Sequence, residues 1–253
     1  MEFQIYSDLH IEEYDDYPRL PVLKDYLILA GDIGKIGHRP FTQFLHYVNN
    51  NWKKIFYVLG NHEYYDNYLT YIELKEMYKN LFKNFNNIIL LDKKKVELNN
   101  IEILGCTLWS YYPSRAPDNY VNYLQNIKEK KNHLFINDLS KDSYNKMNME
   151  DKQWLLENYN PKKKTIIITH YPVRFNGTTH KKWENEIYKS IFANEINIVT
   201  NNILYCVSGH THYSHNFKHQ YENIYFISNQ KGSKDERNDY ENKFNETGIY
   251  KLF

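Results

Sequence analysis

The hydrophobic positions of this chain fall into short unbroken runs, separated by stretches in which they recur every three or four residues. Phe3-Gln-Ile-Tyr6 is short and β-prone, while Tyr26-Leu-Ile-Leu-Ala30 and Ile55-Phe-Tyr-Val-Leu59 are continuous apolar runs. Runs of this kind read as strands buried on both faces, the habit of a parallel sheet. Between them, apolar residues at 41, 44, 45, 48 and 52 share one face of a helix, and a second helical spacing covers Leu69 to Phe85. Ile88 to Leu91 returns as a strand. Val96-Glu-Leu98 and Ile101-Glu-Ile-Leu104 then flank Asn99-Asn100, two residues that tolerate positive φ. That pattern predicts a hairpin, its second arm continuing through Cys106 to Trp109, and a change from βαβ units to antiparallel pairing.

Residues from about 110 to 148 are the least regular. Pro113 and Pro117 interrupt any early helix, and a helix is allowed over Asn122 to Lys131, with Glu129-Lys-Lys131 as a solvated face. The stretch reads as an insertion or lid over the sheet edge. Asn148 is expected to cap a helix running to Tyr159, with Glu150 and Asp151 in its first turn and Pro161 beyond its end. Thr165 to Ile168, Ile203 to Val207, Ile224 to Ile227 and Ile249 to Phe253 read as strands, and Ile187 to Phe192 as a short helix. No repeat and no linker divides the chain, so one α/β domain over residues 1–253 is expected, built as two halves around a mixed sheet system.

Composition narrows the picture. A hydrophobic content of 42% over 253 residues is enough for a sizeable core, and a formal net charge of +1 gives no bulk attraction to nucleic acid or to an anionic membrane. The 25 tyrosines and runs such as Asn49-Asn50-Asn51 read as codon bias, so Tyr and Asn alone carry no functional weight. Cys106 and Cys206 each lie in an apolar run and are expected to be buried thiols. The N-terminus has no basic region or cleavage site, and no stretch approaches the roughly 20 apolar residues of a membrane helix. The expectation is a soluble cytoplasmic protein without a membrane partner.

The chemistry lies where the apolar runs end. Five of them stop on metal-ligand residue types: Ser7-Asp8-Leu9-His10, Gly31-Asp32, Gly60-Asn61-His62-Glu63, Thr169-His170-Tyr171 and Gly209-His210-Thr211-His212. Parallel sheets place ligands beyond the carboxyl ends of their strands. In extended backbone, residues i and i+2 face the same way, so Asp8 and His10 are expected to address one ion. The same holds for His210 and His212, unless a turn divides them between two ions. A glycine before each of Asp32, Asn61 and His210 lets the backbone turn and approach a ligand closely. Imidazole, carboxylate and amide oxygen together suit Mn, Fe or Zn better than Ca or Mg alone.

These five motifs, in this order and across nearly the whole chain, resemble those of the calcineurin-like metallophosphoesterases. Gly60-Asn-His-Glu-Tyr-Tyr65 and Leu104-Gly-Cys-Thr-Leu-Trp-Ser110 also resemble a less characterised branch of that superfamily. The resemblance implies a four-layer αββα sandwich, two mixed β-sheets flanked by helices. It implies two divalent metal ions, Mn2+ first and Fe or Zn as alternatives. Asp8, His10, Asp32 and His212 would hold one ion, and Asp32, Asn61, His170 and His210 the other, with Asp32 bridging. Two ions about 3.5–4 Å apart clamp an in-line displacement, and their bound water falls to a pKa of about 7, supplying a metal-bridging hydroxide. His62, together with Asn61, would contact the substrate phosphate, and His62 would protonate the leaving oxygen.

Glu63 reads as a support for its loop. Arg174 and His180, in the loop after His170, and Tyr64 with Tyr65 are further candidates for substrate contact. His38, His46, His133, His215 and His219 fall outside the motifs and read as surface or packing residues. Phosphoprotein phosphatases of the superfamily carry an Asp-Arg-Gly extension after Gly-Asp, and an Arg after Gly-Asn-His-Glu. Here those places hold Gly31-Asp-Ile-Gly34 and Glu63-Tyr64. An Arg fork is the natural partner of a dianionic monoester. The expected substrate is therefore a phosphodiester or a small phosphorylated or nucleotide molecule. A phosphoprotein monoesterase, a nuclease of the same fold and a non-catalytic scaffold are the alternatives, and nucleic acid is not favoured.

Overall fold

The computed structural model describes residues 1–113, 136, 139–183, 186–234 and 243–253. Its strands form two mixed sheets. In the first, β1 (Glu2–Tyr6), β2 (Tyr26–Ala30), β3 (Lys54–Val58) and β4 (Ile88–Leu90) run parallel, and β11 (Ile249–Lys251) pairs antiparallel with β1. In the second, β6 (Ile101–Cys106), β7 (Thr165–Thr169), β8 (Leu204–Val207) and β10 (Ile224–Ser228) run parallel. They lie between antiparallel edges β5 (Lys94–Leu98) and β9 (His215–Lys218).

Alternation along the strands sorts the side chains into layers. Phe3, Ile5, Ile28, Ala30, Phe56 and Val58 of the first sheet pack on Ile103, Ile166, Ile168, Val207 and Ile227 of the second. The opposite face of the first sheet, with Leu27, Leu29, Ile55 and Tyr57, is covered by α1 (Arg39–Asn51) and α2 (Tyr71–Phe82), through Phe41, Phe44, Leu45, Val48, Leu74 and Tyr78. The outer face of the second sheet, with Leu104, Cys106, Ile167 and Cys206, packs on Leu155 of α3 (Lys141–Asn158). A further helix, α4 (Glu186–Phe192), follows the loop after β7. The result is the four-layer αββα sandwich. Burying one such side chain contributes about 1.5–3 kcal/mol. The dry layer between the sheets therefore sets how the strand ends of one face those of the other.

Most elements lie where the periodicity puts them. The hairpin β5–β6 closes on Asn99 and Asn100, both at positive φ (49° and 63°), the geometry that matches strand twist in a two-residue turn. Helix α2 begins two residues inside the expected span because Thr70 and Glu73 form a reciprocal capping box. Helix α3 corrects the expectation for Asn148. Ser140 caps it, with Ser143 answering, and Asn148 lies inside the helix. Buried there, the Asn148 amide donates to the Trp109 carbonyl and to Asn194 Oδ1, so it is spent on tertiary contacts.

Strand β9 had no apolar run to betray it. His215-Asn-Phe-Lys218 is an edge strand recruited by pairing with β10. Cys106 and Cys206 are buried free thiols. The helix expected over 122–131, His133 and most of the insertion expected at 110–148 lie outside the described residues. No described helix is long and apolar enough to cross a membrane.

Candidate metal centre

The carboxyl ends of β1, β2, β3, β7 and β8 meet at one edge, where the two sheets are stitched together. Thr107, just past β6, donates from Oγ1 to the Leu59 carbonyl just past β3 (2.8 Å). His170 Nδ1 donates to the carbonyl of Ala30 (2.9 Å), and the Gly209 amide donates to the carbonyl of His170 (2.9 Å). Gly31 turns through a φ of 87° and also lies against His170, while close approach alone explains Gly60 and Gly209. A Cβ on Gly60 would overlap Asp32 Oδ1 and lie 2.7 Å from His170 Cε1, and one on Gly209 would lie 2.7 Å from Asp8 Oδ2.

Asp8, His10, Asp32, Asn61, His170, His210 and His212 all come together here. Three sets of side chains could each hold an ion: Asp8, His10 and His212; His10, Asp32 and His62; and Asp32, His170 and His210. Asp32 belongs to two of them and links the halves. The backbone that presents these groups is not the extended one expected. Asp8, His10, Asp32, His210 and His212 have φ of 51°, 47°, 53°, 72° and 50°. Left-handed backbone costs a non-glycine residue about 1–3 kcal/mol. Here that strain clusters where five side chains must leave the strand ends in one direction.

Glu63 is what makes this bend tolerable. Its buried carboxylate accepts from the amides of Asp32 (2.9 Å) and Gly60 (2.8 Å) on one oxygen. On the other it accepts from the Ile33 amide (2.9 Å) and the Tyr57 hydroxyl (2.8 Å). Burial and the Asp32 charge push its pKa up to about 7, against the pull of these donors. Glu63 thus ties the Asp32 and Asn61 turns into one unit.

The polar atoms facing the centre call for positive charge. His170 Nδ1 is committed to a carbonyl, so its Nε2 carries a lone pair when the ring is neutral. That Nε2 lies 2.9 Å from Asn61 Oδ1 and 3.3 Å from Asp32 Oδ2. Asn61 Nδ2 donates to the Tyr65 hydroxyl (2.8 Å), which fixes Oδ1 as the inward atom, also 3.0 Å from His210 Nδ1. His10 Nδ1 faces Glu12, leaving Nε2 3.1 Å from His212 Nε2. Acceptors opposed at such distances repel unless a proton or a cation sits among them.

The titration behaviour agrees. Burial opposes charge on His170, yet Asp32 pushes its pKa up to about 9. Burial likewise opposes charge on His10, and Glu12, Asp32 and Asp8 push it up to about 10. Burial raises Asp32, but His170, His62 and His10 hold its carboxyl well below the usual range. Burial, with His170 beside it, keeps His210 neutral. A largely buried cluster of imidazole nitrogen, carboxylate and amide oxygen, demanding positive charge, suits divalent transition ions. His170 and His10 each spend Nδ1 on an oxygen, the arrangement that orients an imidazole ligand.

His62 opens a single 3-10 turn (His62–Tyr64) that brings its ring round to the centre. The ring lies 4.5 Å from that of His10 and 4.6 Å from that of Tyr65. Two expected neighbours are elsewhere. Tyr64 is buried in the core against Tyr71, Tyr78 and Trp109, and does not line the site. Arg174 is engaged by Glu195 and Glu222 (3.4 and 3.5 Å), both outside the motifs. Two contributors went unseen in the sequence. Tyr171 lays its ring 3.9 Å from that of His210, and Glu12 touches both His10 and His62. The alternation Asp8-x-His10-x-Glu12 was the signal that could have found the second.

Residues 1–214 match the sequence profile of the calcineurin-like phosphoesterases, and the chain belongs to that family. Members depend on two metal ions, and this chain is accordingly a metal-dependent phosphoester hydrolase by class. It is 32% identical over 260 residues to uncharacterized protein L509 of Acanthamoeba polyphaga mimivirus, covering 92% of each chain. Phosphopantetheinyl hydrolase (PptH) from Mycobacterium tuberculosis shares the fold with a TM-score of 0.70 at 15% identity, over 99% of this chain and 95% of that one.

Proposed function

We propose that this protein hydrolyses a phosphodiester or a small nucleotide-like phosphoester, with two divalent ions held by the strand-end cluster. Asp8, His10, Asp32 and His212 would hold one ion and Asp32, Asn61, His170 and His210 the other. Mn2+ is the first candidate for this mixed nitrogen and oxygen set. When bound, the ions supply Lewis-acid polarisation of the phosphoryl oxygens and a nucleophile at neutral pH. The observation that carries this reading is the position of Asp32, shared between the His10 side and the His170–His210 side of the cluster.

The protein's own groups complete the chemistry. Glu63 and the Asp32 and Gly60 turns hold the shared carboxylate in place. Asn61 turns its oxygen inward because its amide nitrogen is held by Tyr65. His62 has its Nδ1 edge toward Glu12 (3.5 Å), which leaves Nε2 to hydrogen-bond the phosphate and donate a proton to the departing oxygen. The preference for a diester is supported by how the arginines among the described residues are placed. Arg174 is spent on two glutamates, and no arginine lies among the contacts of the cluster in the described residues. A monoanionic diester needs less cationic help than a dianionic monoester. The mycobacterial protein that shares the fold is named as a phosphopantetheinyl hydrolase, which is compatible with a phosphoester substrate here.

Purified protein with Mn2+ is to be assayed against bis-p-nitrophenyl phosphate and p-nitrophenyl phosphate. The diester is expected to turn over faster, and chelation or Asp32→Asn to abolish both rates. Equal rates for wild type and Asp32→Asn would overturn the catalytic reading. A faster monoester rate would overturn the substrate preference alone.

A further inference from the structure

Glu12 stands outside the ligand set, yet it touches the two groups on which metal binding and proton delivery depend. Its Oε1 is 3.1 Å from His10 Nδ1 and 3.5 Å from His62 Nδ1. Its side chain is only 14% exposed, and Oε2 is buried without a hydrogen-bond partner among the described residues. The turn that carries it, Ile11–Glu13, is pinned to the Asp32 loop. The His10 amide donates to the Asp32 carbonyl (3.1 Å) and the Ile11 amide to that of Ile33 (2.9 Å). The carboxylate therefore has a fixed place relative to Asp32.

We propose that Glu12 is a positioning residue whose single oxygen gathers the Nδ1 edges of His10 and His62, so that each ring presents Nε2 to the centre. A free imidazole chooses between two tautomers, and a carboxylate at Nδ1 selects the one with the proton there. For His10 that exposes a lone pair to an ion. For His62, 34% exposed at its side chain, Glu12 accepts from Nδ1–H and supplies the hold that burial does not, so that the acid form, protonated on both nitrogens, points its Nε2–H at the centre. The His10 ring meets it edge-on at 75° and Tyr65 covers another side at 35°, so three neighbours restrain the ring. The 3.5 Å separation is loose for a hydrogen bond, as catalytic contacts often are before substrate tightens them. One carboxylate oxygen thereby couples the metal half of the site to the proton-delivery half. The inference rests on His62 acting as the acid in the proposed function.

The test compares Glu12→Ala, Glu12→Gln, His62→Ala and the Glu12→Ala/His62→Ala pair at saturating Mn2+. The substrates are bis-p-nitrophenyl phosphate, whose leaving group departs readily, and diphenyl phosphate, whose leaving group needs a proton more. Loss of general-acid help is worth about 10²-fold or more. Glu12→Ala is therefore expected to lose about that factor on diphenyl phosphate, and less than about tenfold on the activated ester. Glu12→Gln, which keeps the volume and one accepting oxygen, should recover part of the loss. The double variant should be no slower than His62→Ala. Independently of turnover, 15N NMR of the acid form, with both ring nitrogens protonated, should find the His62 Nδ1 proton held in a hydrogen bond and slow to exchange in the wild type, and exchanging freely in Glu12→Ala. Equal losses on both esters, multiplicative losses in the double variant, or an unchanged exchange of the His62 Nδ1 proton would each overturn the role of Glu12. If the wild type itself hydrolyses neither ester, the proposed function fails, and the NMR comparison still decides whether Glu12 holds His62.

Discussion

Replacing Glu63 is the severest test of how the site is supported. The residue is 2% exposed and accepts four hydrogen bonds, three of them from backbone amides that can only donate. Glutamine fills the same volume but offers one accepting oxygen and one NH2. With the oxygen toward Asp32 and Gly60, the NH2 meets the Ile33 amide, which is left without an acceptor, and the Tyr57 hydroxyl, which can rotate to accept. One stranded buried donor costs about 1–3 kcal/mol, and two bonds lose their charge assistance at about 1 kcal/mol each. The sum is about 3–5 kcal/mol, a fifth or more of the roughly 5–15 kcal/mol that holds a domain together. At about 2–4 °C per kcal/mol for a chain of this size, Glu63→Gln should melt about 6–20 °C lower. Alanine strands all three amides and opens a cavity, and is expected to leave little folded protein. Circular dichroism melting of wild type and Glu63→Gln, both in chelator so that bound ions do not mask the difference, reads this directly. A fall of less than about 3 °C would refute the claim that this carboxylate holds the Asp32 and Asn61 turns together.

Metal binding should be visible as stability. With free Mn2+ at a hundred times its Kd, a single site adds about 2.7 kcal/mol, or about 5–11 °C in Tm, and Asp32→Asn should remove most of that rise. Gly60→Ala places a Cβ 2.7 Å from His170 Cε1 and against Asp32, so Mn2+ affinity measured by titration calorimetry should fall by about tenfold or more while circular dichroism stays native. His215, just outside the motifs, gives a further pH dependence. It is 8% exposed, and burial brings its pKa down to about 4, partly opposed by its bond to the Tyr213 carbonyl (3.0 Å). A histidine with a depressed native pKa gives stability that is complete above its unfolded value of about 6.5 and is lost as pH falls toward 4. The loss amounts to about 3 kcal/mol, and His215→Phe should flatten that part of a urea-midpoint profile between pH 6.5 and 4.

The strands, the helix faces, the Asn99-Asn100 hairpin and the seven converging ligand types were legible in the chain because each is written within a few neighbouring residues. Alternation and the three-to-four spacing record which side chains a short segment buries, and a glycine before a ligand records a close approach. Edge strand β9 and the true start of α3 were not legible. A polar strand exists only because β10 offers it a partner, and Asn148 is claimed by Trp109 and Asn194 before it can cap anything. The same divide runs through the site. The sequence by itself determined which residues would stand at the strand ends. Only the packing of one sheet on the other decided the rest. It set the left-handed backbone at Asp8, His10, Asp32, His210 and His212 and buried Tyr64 in the core. It also drew Arg174 to Glu195 and Glu222, and brought Glu12 and Glu63 under the histidines and turns they hold. The physical reason is range: periodicity is a property of five or ten consecutive residues, whereas a hydrogen bond between groups 30 or 140 positions apart exists only once the intervening layers are packed.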